Sequence, residues 1–150
     1  MYGAANRGLI PLGMHHFINS FIWFQAGECR DAAGTVFHDD LTCFFNAEPR
    51  DPDVGIFMAG FFPIMMFALP AAALAMVHEA RPAERKAVAG ILLSAALTSL
   101  VTGVTEPLEF AVLFVAPLLF VTHIVLTGLS LAITAAFGVR DGFGFSAGLD

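Results

Sequence analysis

Three stretches of the chain carry no Asp, Glu, Lys or Arg: residues 54–77, 87–105 and 110–139. A hydrocarbon core of ~30 Å is crossed by about 20 apolar residues in a helix. The first run is long enough to span, the second sits near the lower limit, and the third spans with residues to spare. Prolines interrupt the pattern, Pro63 and Pro70 in the first run and Pro117 in the third. Each removes a backbone donor and clashes one turn back, which predicts kinked or broken helices. In lipid the freed backbone groups are tolerated only where protein or a water-filled cavity meets them. Broken helices of this kind surround the sites of many transporters, although an ordinary kinked span also fits Pro63 or Pro117 taken alone.

Charge divides the remainder. "HEARPAERKA" holds Arg81, Arg85 and Lys86 between the first two runs, and Lys and Arg concentrate in short cytoplasmic loops. Residues 78–86 are therefore placed inside. Residues 28–53 carry Glu28, Asp31, Asp39, Asp40, Glu48, Asp51 and Asp53 against Arg30 and Arg50. With Pro49, Pro52, Gly27 and Gly34 they read as an acidic surface segment, with a short helix around Leu41–Phe45. One crossing from the basic loop, this segment is expected outside.

Composition agrees with a bilayer as solvent. Of 150 residues, 57% are hydrophobic and 13% charged, and the mean hydropathy is +0.76. A soluble domain carries about 25% charge, and this chain has too few ions to cover itself in water. A net charge of -6 excludes nucleic acid, which needs clustered Lys and Arg, and a polybasic anchor on anionic lipid. Cys29 and Cys43 lack zinc-ligand spacing. They read as spare thiols, and as a pair only if their loop faces an oxidising compartment. The opening "MYGAANRGLIP" has no basic and apolar regions of a signal peptide and reads like the middle of a protein.

Two polar clusters stand inside apolar surroundings. "TGVTEPLEF", residues 102–110, sets Glu106 and Glu109 on either side of Pro107 and Leu108. A charge at the bilayer centre costs roughly 2.5–3.5 kcal/mol on insertion scales, so a carboxylate there has a partner or a function. Pro107 disfavours helix at Glu106. A chain that enters the membrane, turns at Thr105–Pro107 and leaves on the same side accounts for these features. A loop at the interface with both glutamates in water is the plainer alternative. "NRGLIPLGMHHFINSFIWF", residues 6–24, places Arg7, His15, His16 and Asn19 among Leu, Ile, Met, Phe and Trp. On a helix beginning near Gly13, His15 and Asn19 share a face. No carboxylate or Cys stands at ligand spacing to His15 and His16, so no metal is expected. His38, His78 and His123 read as structural. Arginine, imidazole, carboxylate and amides in an apolar wall suit a sugar, whose hydroxyls both donate and accept. Left unpaired, such groups would be costly.

These residues carry a resemblance. "NRGLIPLGMHHFINSFIWF", "GIFMAGFFPIMMFALPAAALAM", "LLSAALTSLVTGVTEPLEFAVLFVAPLL" and "GFGFSAG" resemble, in order and over essentially the whole chain, the membrane (IIC) component of bacterial phosphotransferase-system sugar permeases. The group is the glucose/N-acetylglucosamine/maltose one, and "FMAGFFPIMMFALPAAALAM" with "GFSAG" is similar to its N-acetylglucosamine members. The resemblance implies an all-α integral membrane protein with kinked transmembrane helices and two re-entrant hairpins, of which this chain is the second, sugar-binding half. Residues 1–27 would form the first hairpin region and 28–53 the acidic polar loop. Residues 54–78 would cross the membrane, 87–110 form the second hairpin region with its Thr-Glu-Pro signature, and 110–139 cross again. By motif, Arg7, His15, Thr105 and Glu106 correspond to sugar-binding residues; Asn6, His16, Asn19 and Glu109 are secondary candidates beside them. Glu106 and His15 would also orient the sugar's 6-hydroxyl or take its proton.

The implied activity is import of N-acetylglucosamine or glucose with 6-phosphorylation by a phosphorylated IIB domain or subunit. The setting is a multi-pass protein of the bacterial plasma membrane that meets lipid and no nucleic acid. No cofactor is expected. "GECRDA" and "LTCFFN" do not match the family's phosphocysteine motif, so the chain would act as a sugar phosphotransferase only together with IIB. The family's homodimer forms through helices outside this chain, which points to a truncated reading frame or half of a split gene. Two other classes fit the same residues. One is an ion-coupled transporter using Glu106 and Glu109 as carriers, and the other a non-functional or split fragment of a permease.

Overall fold

A computed structural model of the chain describes residues 1–30, 33–46 and 54–143. Asp31, Glu48, Asp51 and Asp53 of the acidic segment, and most of the terminal "GFGFSAG" motif, lie outside the described residues. The described chain is mostly helical: α1 (Tyr2–Gly8), a 3-10 turn (Ile10–Leu12), α2 (His15–Phe24), α3 (Asp40–Asn46), α4 (Ile56–Ala59), a π-helical stretch (Ile64–Ala68), α5 (Leu69–Glu79), α6 (Arg85–Thr102), α7 (Glu106–Val115) and α8 (Pro117–Ala136). Among the described residues three helical runs are long and apolar enough to cross a membrane, Ile56–Glu79, Arg85–Thr102 and Pro117–Ala136. They fall on the three uncharged runs. The chain divides into two compact units, Phe62–Val121 and Met1–Phe61 with Thr122–Phe143.

The unit of residues 62–121 is built on α5 and α6, joined by a short loop containing Pro82. Its core is Ile64, Leu69, Ala73, Leu92, Ala96 and Leu108. Proline shapes its first element. The Leu69 N–H reaches back to the Ile64 carbonyl, and the next bond of that π pattern would need an N–H at position 70, where proline has none. The Ser99 hydroxyl, buried on α6, donates instead to the Met65 carbonyl at 2.7 Å. Without it a buried acceptor would lose this partner, at a cost of about 1–3 kcal/mol.

α6 stops at Gly103, whose φ of 72° is the left-handed cap that glycine adopts without penalty. Val104 and Thr105 lead into α7, which begins at Glu106. The sequence reading had Pro107 disfavouring helix at Glu106. Instead the proline sits in the first turn of α7, where its missing N–H had no helical partner to lose. The third uncharged run is divided at Ala116, whose φ of -147° and ψ of 75° lie outside the helical region that a residue before proline avoids, and α8 starts at Pro117.

In the other unit, α1 packs on α8 through small residues. A Cβ at Gly3 would lie 3.0 Å from the Leu131 side chain, and one at Gly128 would lie 3.0 Å from the Ala4 Cβ. Gly60 approaches α8 more closely still, since a Cβ there would fall 2.4 Å from the Leu131 Cα. The Ser130 hydroxyl joins the same contact by donating to the Gly60 carbonyl at 2.8 Å.

The acidic segment is more ordered than its composition suggests. Cys29–Arg30 and Val36–Phe37 form a two-residue antiparallel ladder, Cys29 opposite Phe37, which the all-helical expectation did not contain. The reading of Cys29 and Cys43 as spare thiols is corrected: they form a disulfide, with their Cα atoms 5.8 Å apart. The ladder and α3 bring together two residues 14 apart in sequence, and the bridge packs with Val54, Phe37 and Phe44 in a small apolar cluster. Such a bond persists in an oxidising compartment. Helix α3 (Asp40–Asn46) contains the short helix expected around Leu41–Phe45, and the Asp39 carboxylate caps it by accepting from the Thr42 N–H. Asp40 is buried and accepts from the Gly55 N–H at 3.0 Å. Burial raises its carboxyl above the ordinary range, the Gly55 bond lowers it, and the charge of Asp39 raises it again. His38 and Glu28 approach to 3.4 Å on the surface, a pairing that contributes little to stability.

Candidate functional site

The two polar clusters of the sequence fall in different units. In the first, the 3-10 turn at Ile10–Leu12 and Gly13, with φ 68°, reverse the chain between α1 and α2. Asn6, Arg7 and His15 are buried and Asn19 is partly buried. The Asn6 amide and the Tyr2 hydroxyl both donate to Asn19 Oδ1, the latter at 2.6 Å. His15 and His16 have ring centroids 4.0 Å apart, but only His15 is buried; His16 is exposed. The Arg7 guanidinium carbon lies 4.8 Å from the centroid of Phe61. A cation over an aromatic face is stabilised by about 0.5–2 kcal/mol, and the ring holds the planar fork in one attitude. Tyr2 and Trp23 meet the same Phe61 edge-on, at 5.8 and 6.3 Å.

In the second, the turn Gly103–Thr105 delivers Thr105, Glu106 and Glu109 to the start of α7. The Thr105 carbonyl accepts from the N–H groups of Leu108 and Glu109, at 3.0 and 3.1 Å. Two carboxylates in a first turn are favoured by the positive end of the helix. Their burial differs. Glu109 is 0% exposed and Thr105 is 3% exposed, whereas Glu106 is only partly buried. Glu109, the secondary candidate of the sequence, is thus the more enclosed of the two. Of the histidines outside the clusters, His78 is exposed and its carbonyl accepts from Arg85 at 2.9 Å, while His123 is partly buried on α8.

Tyr2 and Phe61 went unnoticed in the sequence. Tyr2 is the chain's one tyrosine and stands four residues before Asn6, a spacing that shares a helix face. Nothing local marks Phe61 among sixteen phenylalanines.

Residues 1–128 match the family model described as "Phosphotransferase system, EIIC". The chain belongs to this EIIC family. Among its relatives are proteins named PTS system N-acetylglucosamine-specific EIIC component in Streptomyces coelicolor, EIICBA component in Klebsiella pneumoniae and EIICB component in Bacillus subtilis, at 59, 56 and 54% identity. Each alignment covers 99% of this chain but 35, 22 and 31% of the respective relative. The EIIC chain thus spans about a third or less of the length of these curated relatives. With the motif order and the apolar helices, the match makes it a stretch of an EIIC membrane domain.

Proposed function

We propose that the chain is the sugar-binding part of a phosphotransferase permease that imports N-acetylglucosamine while a partner IIB domain phosphorylates the sugar's 6-hydroxyl. The observation that carries this is the burial of Asn6, Arg7, His15, Thr105 and Glu109 on or beside short helices of an apolar chain. At 1.5 Å per residue, α1, with 7 residues, α2, with 10, and α7, with 10, reach only about 10–15 Å, half or less of a hydrocarbon core. The helix–turn–helix of α1 and α2 supports a re-entrant hairpin at residues 1–27; in the second hairpin region, residues 87–110, the short reach belongs to α7 alone, since α6 is of membrane-crossing length. The names of the EIICB and EIICBA relatives support a IIB partner.

In this reading Arg7, His15, Thr105 and Glu106 bind the sugar. Arg7 presents a fixed donor fork to ring hydroxyls, and the Thr105 hydroxyl donates or accepts. Glu106 accepts from the 6-hydroxyl, and with His15 takes its proton as that oxygen bonds to phosphorus. The phosphorus–sulfur bond of the IIB phosphocysteine breaks in the same transfer, and the cysteine leaves as thiolate. Asn6, His16 and Glu109 line the surroundings. The protein is a multi-pass component of the bacterial plasma membrane and works as a homodimer.

Uptake into sealed vesicles carrying the intact permease tests this. N-acetylglucosamine is expected to accumulate only with IIB and a phosphate donor present, and to appear inside as the 6-phosphate. Accumulation driven by a pH gradient without either would instead make Glu106 and Glu109 carriers of an ion-coupled transporter.

A further inference from the structure

The geometry points to Tyr2 and Asn19 as positioning residues that fix Arg7 and His15 for the sugar, an inference that rests on the sugar site proposed above. In the sequence Asn19 is a secondary candidate for sugar contact. Its Oδ1, however, accepts from both the Tyr2 hydroxyl, at 2.6 Å, and the Asn6 amide. A side-chain carbonyl oxygen has two lone-pair directions, so two protein donors leave none for a sugar hydroxyl. Tyr2 and Asn6 are one turn apart on α1, and so project from the same face of that helix. Asn19 stands one turn after His15 on α2 in the same way. One oxygen thus ties the helix that bears Arg7 to the helix that bears His15.

Tyr2 couples this clasp to Arg7 by a second route. Its ring lies edge-on to Phe61 and to Phe57, each at 5.8 Å, and Phe61 is the face over which the Arg7 guanidinium rests. The Tyr2 hydroxyl therefore sets α2 while its ring sets the platform under Arg7. Removing the hydroxyl would leave the aromatic contacts in place and take away one of the two hydrogen bonds to Asn19 Oδ1.

The test is sugar affinity in the intact permease for Tyr2→Phe and Asn19→Ala, measured on folded, monodisperse protein with N-acetylglucosamine and its 3-, 4- and 6-deoxy analogues. One lost hydrogen bond corresponds to a weakening of about threefold to tenfold. Tyr2→Phe is expected to show it, Asn19→Ala to show at least as much, and both to show it equally for every analogue. The number of binding sites should not change. A loss that disappears for one analogue would make the residue a direct sugar contact and overturn the inference. So would a lowered thermal midpoint with unchanged affinity, which is a purely structural role. Should Asn19→Ala fail to fold, Tyr2→Phe decides. His15→Ala and Glu106→Gln, run alongside, separate the two levels. If they bind normally, the sugar site itself is wrong. If they fail while Tyr2→Phe and Asn19→Ala bind normally, only the clasp is wrong.

Discussion

N-Acetylglucosamine binding by the intact permease is expected to weaken about tenfold to a hundredfold on Glu106→Gln, and about fivefold on His15→Ala. The range follows from hydrogen bonds to charged groups, worth about 1.5–3 kcal/mol each, against about 1 kcal/mol for neutral ones. Gln keeps the length of Glu106 and one acceptor oxygen but loses the charge, so it should reduce affinity with little change in folding. Glu106 is only partly buried at the first turn of α7, which leaves an approach for a ligand. Equilibrium binding in detergent decides the matter. Wild-type affinity in both variants would remove the proposed sugar contacts.

The largest expected effect on folding comes from Gly60→Ala. Its backbone φ of -74° suits any residue, so the requirement is one of space. The added methyl would sit 2.4 Å from the Leu131 Cα and 2.6 Å from its Cγ, and a backbone atom cannot step aside as a flexible side-chain end can. Overpacking costs typically 1–3 kcal/mol, and here the upper end, about 3 kcal/mol, is expected together with loss of the Ser130 bond to the Gly60 carbonyl. Gly90→Ala on α6 supplies the contrast, because nothing lies within 4 Å of the added methyl. It should be neutral or stabilising by up to about 1 kcal/mol. Thermal unfolding followed by size exclusion in detergent distinguishes the two. Equal midpoints for Gly60→Ala and the wild type would contradict the packing described for α8.

The helices were legible because lipid leaves a one-dimensional record. A run without ions must either be enclosed or meet hydrocarbon, and each of the three membrane-length helices overlaps one of the three uncharged runs. Pro117 marked a helix boundary through the conformation it imposes on Ala116. Pro107 misled, because the same ring is disruptive inside a helix and favourable in its first turn. The site residues were legible as types, since Arg7, His15 and Glu106 are conspicuous among Leu and Phe. Their surroundings were not. The platform of Arg7 is Phe61, 54 positions away and chemically indistinguishable in sequence from its neighbours. The Cys29–Cys43 bridge was missed because spacing says nothing of approach. A two-residue ladder supplies it together with α3, and the ladder leaves no periodicity long enough to read.

Alkylation of a Thr105→Cys variant of the intact permease, with and without sugar, reaches the heart of the proposal. Cys29 and Cys43 are joined to each other, so the introduced thiol is the reporter among the described residues. At about ten times the dissociation constant, N-acetylglucosamine should slow the reaction about tenfold, a polyol such as mannitol should not, and a thiol at exposed Ala83 should react at one rate throughout. A Thr105→Cys thiol that still binds the sugar but reacts as fast with it as without it would show that the ligand does not rest on this turn.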